Sequence, residues 1–154
     1  MTKVTCFKIG RIRRKSVPFG VKQYILYKPF VELGMKKTTQ ISELEHYLGF
    51  ELKKVEGFEN IMDWQQAKTY LVDKDNNLVG LNLYESALTT TTFLQDFPKL
   101  QMLHLGSNHL EDIHVLRHLL DLTFLNLSDN QIQDIAALSD LQHLQILDIG
   151  DNQI

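Results

Sequence analysis

One sequence motif occurs three times near the carboxyl end of this chain, at a constant interval of 22 residues. It is written LHLGSNHL at 103–110, LNLSDNQI at 125–132 and LDIGDNQI at 147–154. Apolar residues hold equivalent positions in each copy, and one position is always asparagine. A period of this length indicates supersecondary units stacked on one another, because a single short unit cannot bury its own apolar face.

The period extends back to residue 78 and gives three complete registers and a truncated fourth. All follow the pattern LxxLxLxxNxI/L, with Ser86 at the asparagine position of the first register. The apolar positions, register by register, are Leu78, Leu81, Leu83, Leu88, Leu94 and Phe97; Leu100, Leu103, Leu105, Leu110, Leu116 and Leu119; Leu122, Leu125, Leu127, Ile132, Leu138 and Leu141; and Leu144, Leu147, Ile149 and Ile154.

Each part of the pattern has a physical reason. Alternating leucines predict a short strand with one face inward, and stacked strands of this kind pair in parallel. A buried asparagine amide can bond backbone groups on both sides of the sharp turn that follows, so we expect a structural ladder of Asn108, Asn130 and Asn152. The segments DIHVLRHL and DIAALSDL are short enough to return as 3₁₀ turns or brief helices.

The predicted fold is therefore α/β: a leucine-rich repeat solenoid with parallel strands on the concave face and 3₁₀ or short helical segments on the convex side. The sequence pattern NxIxDIxxL resembles the 22-residue repeats of bacterial leucine-rich repeat proteins, in particular the internalins. The resemblance covers residues 78–154, half of the chain. It implies a curved solenoid whose concave face binds a partner, usually a protein.

Residues 38–77 are predicted to form an α+β cap on the first repeat. In ISELEHYLG we expect a helix that begins with a capping box of Ser42 and Glu45 and ends at Gly49. The segments KTYLV and NLVGLNL flank DKDNN, which predicts a hairpin that leads into the first repeat strand. The turn imitates a calcium loop but lacks the loop glycine and the final glutamate, so a solvated turn is the favoured interpretation.

Residues 1–37 form a predicted basic β-hairpin segment, with strands at 3–12 and 22–32 around SVPFG. They hold ten of the sixteen lysines and arginines and one acid, whereas residues 38–154 hold six bases and eighteen acids. The segment could extend the cap, pack on the acidic repeats or serve solubility. It could also bind nucleic acid or an anionic surface, and nucleic acid is the less favoured interpretation.

Strand residues between the leucines point away from the core and define the candidate binding face. One row is Gly80, Met102, Phe124 and Ile146, and the next is Asn82, His104, Asn126 and Asp148, with the loop-edge residues Tyr84, Glu85, Ser107, Asp129 and Asp151 beside them. The predicted partner-binding residues are Met102, His104, Phe124, Asn126, Ile146, Asp148 and Tyr84. An apolar centre with a polar rim is typical of protein interfaces. The alternative is that flanking segments cover part of the row.

The sequence carries no motif that would predict an enzyme or a cofactor. It contains no P-loop, no GxSxG and no glycine-rich dinucleotide turn. His114 and His118 stand four residues apart without an HExxH motif, and a solvated convex face explains them. The single cysteine, Cys6, fits a reducing compartment, and the chain shows neither a signal-peptide pattern nor the roughly 20 apolar residues of a membrane span. We expect a cytoplasmic protein.

The fourth register supplies a strand and an asparagine turn without a convex return. Its apolar side chains and its strand edge would stand open, which exposes unpaired backbone groups. We therefore expect this edge to be covered, either by more repeats or by self-association with a second copy. A related hypothesis is that the chain is the recognition portion of a larger regulatory protein.

Overall fold

The structure, a computed structural model, describes residues 36–154, with side chains from residue 39 onward. These residues belong to one compact unit, Met35–Ile154. The predicted hairpin within residues 1–37 lies outside the described residues. The helices and strands in chain order are α1 Lys36–Leu48, β1 Lys53–Lys54, α2 Glu59–Met62, β2 Thr69–Val72, β3 Leu78–Asn82, β4 Met102–His104, β5 Phe124–Asn126 and β6 Ile146–Asp148.

The strands form one six-stranded sheet in the order β1-β2-β3-β4-β5-β6. The β2–β3 pair is antiparallel and forms the hairpin that DKDNN predicts, whereas every other pair is parallel. From β3 onward the register is constant, since Leu81 pairs with Leu103, Leu103 with Leu125, and Leu125 with Leu147. The parallel repeat sheet is confirmed.

The turn after each repeat strand has a residue in the left-handed backbone region at one equivalent position. Glu85, Ser107, Asp129 and Asp151 have φ values of 50°, 53°, 54° and 54°. The asparagine that follows the last three of them bridges neighbouring repeats. The Asn130 Nδ2 donates to the carbonyl oxygens of both Leu105 and Leu127 at 3.0 Å, while its Oδ1 accepts from the Leu110 N–H, also at 3.0 Å. Asn108 and Asn152 make equivalent bonds.

The return segments are 3₁₀ helices, Thr92–Asp96, His114–His118 and Ala136–Asp140, as predicted. An acidic side chain caps the start of two of them. Asp112 Oδ1 accepts the His114 N–H at 2.8 Å, and Asp134 Oδ1 accepts the Ala136 N–H at 2.7 Å. Both caps occupy an amide that the helix itself leaves unpaired. This explains why the repeat carries aspartate immediately before isoleucine.

The leucine core lies between the strands and the 3₁₀ segments. Leu81, Leu103 and Leu125 are fully buried. Burying such a side chain contributes about 1.5–3 kcal/mol relative to exposing it. Their equivalent in β6, Leu147, is 41% exposed because no described repeat stacks on its outer side. The packing of the solenoid therefore weakens at its last described strand.

Helix α1 differs from its prediction at one end. It begins at Lys36, so Ser42 lies inside the helix and cannot be its N-cap. No proline or glycine stands between Gly34 and Gly49, so nothing in the sequence stops the helix from extending upstream. Glu45 instead accepts the Leu52 N–H at 2.8 Å beyond the other end of the helix. The predicted end is confirmed, because Gly49 adopts φ +78° and its N–H bonds the Glu45 carbonyl.

Candidate functional site on the concave face of the sheet

The concave face of the sheet carries the two predicted rows in register. Gly80, Met102, Phe124 and Ile146 align across β3 to β6, and Asn82, His104, Asn126 and Asp148 align beside them. The structure thus brings together all six predicted strand residues of the candidate site. Tyr84, the seventh, lies just beyond β3, where its ring meets that of His104 with a centroid distance of 5.3 Å.

The apolar row is mostly covered. Met102 and Phe124 are only 7% and 8% exposed, and they belong to a second apolar cluster that includes Ile61 and Leu71. Helix α2 contributes Ile61, which packs against Gly80. The expectation that Met102 and Phe124 stand exposed is therefore wrong, and the alternative of partial cover applies. In the sequence, the indication of this cover was Gly80. It is the one residue without a side chain in the row of Met102, Phe124 and Ile146, and it leaves room for a segment to lie on the sheet.

The polar row caps the strand ends, a role that the sequence pattern did not predict. Each member accepts a hydrogen bond from the backbone N–H two residues later, which fixes the chain as it leaves the strand. The acceptors and donors are Asn82 and Tyr84 at 3.0 Å, His104 and Gly106 at 3.2 Å, Asn126 and Ser128 at 3.0 Å, and Asp148 and Gly150 at 3.1 Å. The sequence offered one indication of this role, because every side chain in the row can accept a hydrogen bond.

Asn82 has a second task. Its Nδ2 donates to the carbonyl oxygens of Ile61 at 3.0 Å and Asp63 at 2.9 Å. These two bonds and the burial of Ile61 hold the segment around α2 against the sheet. The fully buried Asn82 side chain thus joins the cap to the first repeat.

An aromatic row runs across the same face. Trp64 meets Tyr84 edge-on at 6.2 Å between centroids, and His104 lies between Tyr84 and Phe124, 6.3 Å from the latter. Burial lowers the pKa of His104 to about 4, partly offset by the negative charge of Asp148. The ring is therefore neutral at pH 7, and because Nδ1 accepts the Gly106 N–H, its proton is placed on Nε2.

The accessible parts of this face lie at its two ends. At one end Trp64 is 59% exposed beside a half-buried Tyr84. At the other end Ile146 is 52% exposed, and the Asn126 Nδ2 donates to Asp148 Oδ2 at 3.2 Å beside it. Between these ends the side chains are buried.

Comparison with known proteins agrees with this architecture. A family model described as Leucine Rich repeats (2 copies) matches residues 121–154. The solved structure of an internalin, InlF of Listeria monocytogenes, is 26% identical with a TM-score of 0.52, and the match covers 74% of this chain and 38% of InlF. The chain therefore contains leucine-rich repeats and has the solenoid fold of a leucine-rich repeat protein, similar to that of the bacterial internalins.

A second structure, internalin C2 of Listeria monocytogenes, is 21% identical with a TM-score of 0.45, covering 66% of this chain and 58% of that protein. A search of curated proteins gave no match. The internalin-like chain thus spans 38% and 58% of the lengths of these two internalins. The leucine-rich repeats and the likeness to InlF support the general class of protein-interaction modules.

The other sequence candidates lie away from this face of the internalin-like chain. Asp73 Oδ1 accepts the N–H groups of Asp75 and Asn77 at 2.8 Å, so this carboxylate holds the hairpin turn together. On the convex side the exposed His114 ring nitrogen Nδ1 lies 2.7 Å from Asp112 Oδ2, and the bonds from His114 lower the pKa of Asp112. Among the described residues, no group of three or more histidines, cysteines or acids is arranged to hold a metal ion.

Within residues 36–154, no helix is long and apolar enough to cross a membrane.

Proposed function

We propose that this internalin-like chain binds a partner protein through the concave face of its repeats. The observation that carries the proposal is the exposed end of that face, where Ile146 stands half exposed beside the hydrogen-bonded pair of Asn126 and Asp148. An apolar side chain next to satisfied polar groups is the arrangement found in protein interfaces. The role is one of binding, without catalysis.

The rigidity of the face supports the same proposal. The strand register is constant, and the capping bonds of Asn126 and Asp148 fix the backbone at the strand ends. A surface that is already ordered loses less conformational entropy when it binds.

Affinity capture from lysate of the native host tests this proposal. Met102 and Phe124 are unsuitable targets, because a charge in their buried positions would destabilise the fold. Ile146→Asp is suitable, and Leu120→Asp is its matched control because Leu120 is 54% exposed and lies outside the strands, in the turn after the 3₁₀ segment His114–His118. We expect the wild type and Leu120→Asp to retain the same defined proteins, and Ile146→Asp to lose them. Equal retention by all three would overturn the proposal.

A second proposal concerns the edge of β6, which we infer pairs with a strand of a second copy. Leu147 is 41% and Ile154 60% exposed, in contrast to their fully buried equivalents Leu125 and Ile132. An uncovered strand edge favours pairing with another chain. Sedimentation over a hundredfold range of concentration tests this, and a monomer throughout would contradict it.

Other functional hypotheses stay predictions from the sequence. Binding of nucleic acid or an anionic surface is predicted from the basic residues in 1–37. For nucleic acid, the test is a salt-sensitive gel shift that disappears when Arg11, Arg13, Arg14 and Lys15 are replaced. A cytoplasmic location and a place in a larger regulatory protein are likewise proposals.

A further inference from the structure

A short segment of the cap exposes three large apolar side chains. In residues 58–66, which we call the overhang, Phe58 and Met62 are each 41% exposed and Trp64 is 59% exposed. Phe58 and Met62 stand four residues apart at and within α2, and such a spacing places them on one side of a helix. Exposed apolar groups collected on one short segment indicate an interaction surface.

The overhang is held in place, so this exposure does not come from a frayed segment. Ile61 is fully buried against the sheet, and the carbonyls of Ile61 and Asp63 both accept hydrogen bonds from Asn82. Asp63 Oδ1 also accepts the Gln65 N–H at 2.9 Å, which fixes the turn that carries Trp64. The exposed side chains are therefore presented by an ordered backbone, which lowers the entropic cost of binding.

The charged side chains within the overhang and its nearest neighbours in sequence are acidic, and Lys54 and Lys68 stand at the two flanks. Residues 55–67 contain Glu56, Glu59 and Asp63 and no lysine or arginine. Another acid stands next to the contact between Trp64 and Tyr84, because Tyr84 is followed in sequence by the exposed Glu85. The overhang thus combines an exposed indole with several carboxylates.

We propose that the overhang docks an arginine-bearing segment of a partner protein. A guanidinium stacks on an indole face and pairs with carboxylates, and its methylene stem packs on apolar side chains such as Met62. The same carboxylates repel phosphate, which disfavours a nucleic acid or an anionic membrane at this surface. The proposal goes beyond the concave-face function, because it uses the cap and not the strand residues of the repeats.

The indole provides the readout, because Trp64 is the only tryptophan of the chain. The probe is a ten-residue peptide of alternating arginine and glycine, titrated into the full chain at low salt. We expect a saturable change in tryptophan emission. A peptide with citrulline in place of arginine keeps the shape and loses the charge, and it should bind at least tenfold more weakly. Equal binding of both peptides would overturn the proposal.

Charge variants separate this surface from the general acidity of the repeats. Glu59→Gln combined with Asp63→Asn removes two charges and retains a side-chain oxygen at position 63 that can accept the Gln65 N–H. We expect this variant to bind the peptide about tenfold more weakly. The matched control is Asp96→Asn with Glu111→Gln, two exposed acids that lie outside both the overhang and the strands. Equal weakening in both pairs would show non-specific attraction and overturn the proposal.

Calorimetry tests the role of the indole itself. Trp64→Ala should lower the affinity for the arginine peptide about tenfold, whereas Leu120→Ala should leave it unchanged. Circular dichroism of each variant checks the fold. Unchanged affinity of a folded Trp64→Ala variant would overturn the proposal. So would self-association that is lost in Trp64→Ala, because the occupant would then be a second copy.

Discussion

Ile61 lies so close above Gly80 that a Cβ atom at position 80 would fall 2.8 Å from the Ile61 Cγ1. The Leu71 Cβ would lie 3.1 Å away on the same side. Ile61 is fully buried with its carbonyl bonded to Asn82, and Leu71 is buried in the strand that pairs with Gly80, so neither neighbour can move freely. The missing side chain at Gly80 is therefore what allows α2 to rest on the sheet.

We expect Gly80→Ala to destabilise the chain by about 1–3 kcal/mol, because the added methyl overpacks this contact. Urea denaturation measures the change in free energy of unfolding. Gly150→Ala is the control, since a Cβ there would lie at an ordinary 3.4 Å from Asp148 Oδ1. Similar urea midpoints for Gly80→Ala and the wild type would contradict the close packing of Ile61 against Gly80.

The asparagine ladder predicts a graded loss of stability. Asn130→Ala should cost about 2–4 kcal/mol, because it leaves the buried Leu110 N–H without its acceptor and removes the bonds to Leu105 and Leu127. Asn152→Ala should cost less, about 1 kcal/mol, because Asn152 is more exposed and water can replace part of its bonding. Thermal and urea unfolding of the two variants gives the comparison, and equal losses would contradict it.

The repeat could be predicted from the sequence because its information is local and periodic. The alternation of Leu103 and Leu105 sets the strand face, and copying that pattern every 22 residues sets the parallel register. The cover over Met102 and Phe124 could not be predicted in this way. It depends on Ile61, which is far away in sequence and belongs to no repeat.

The start of α1 and the roles of the polar row were missed for different reasons. Ser42 and Glu45 satisfy a capping pattern, yet a local pattern does not show that an upstream turn can continue the helix. In the polar row, the outward direction of Asn126 and Asp148 predicts partner binding, because strand alternation specifies only the direction of a side chain. Their bonds to Ser128 and Gly150 belong to the turn geometry, which alternation does not specify.

Ala87 offers a stabilising substitution. It adopts φ +54°, a left-handed conformation that costs roughly 1 kcal/mol for a residue with a Cβ. Its side chain is exposed, so little packing is lost on truncation. We expect Ala87→Gly to raise the free energy of unfolding by about 0.5 kcal/mol, after the entropy of glycine in the unfolded chain is included. Ala136→Gly, in a 3₁₀ segment, should lower it instead, and a loss of stability in Ala87→Gly would contradict the assigned backbone.

His104 predicts how stability depends on pH. Its pKa is lowered from 6.5 to about 4 in the folded chain, so between these values the unfolded chain binds more protons. Stability therefore rises with pH across this window, and acidification from pH 7 towards pH 4 should cost about 2 kcal/mol through this residue. The neutral ring is required because protonated Nδ1 could no longer accept the Gly106 N–H.

The variant that isolates this effect is His104→Asn, since Asn82 and Asn126 fill the equivalent positions with an oxygen that accepts the same type of bond. We expect the variant to fold at pH 7 and to lose less stability than the wild type between pH 7 and pH 4.5. Urea denaturation at both pH values gives the difference, in which contributions from the acidic residues common to both proteins cancel. Parallel pH profiles for the two proteins would show that His104 is not held neutral by its burial between Tyr84 and Phe124.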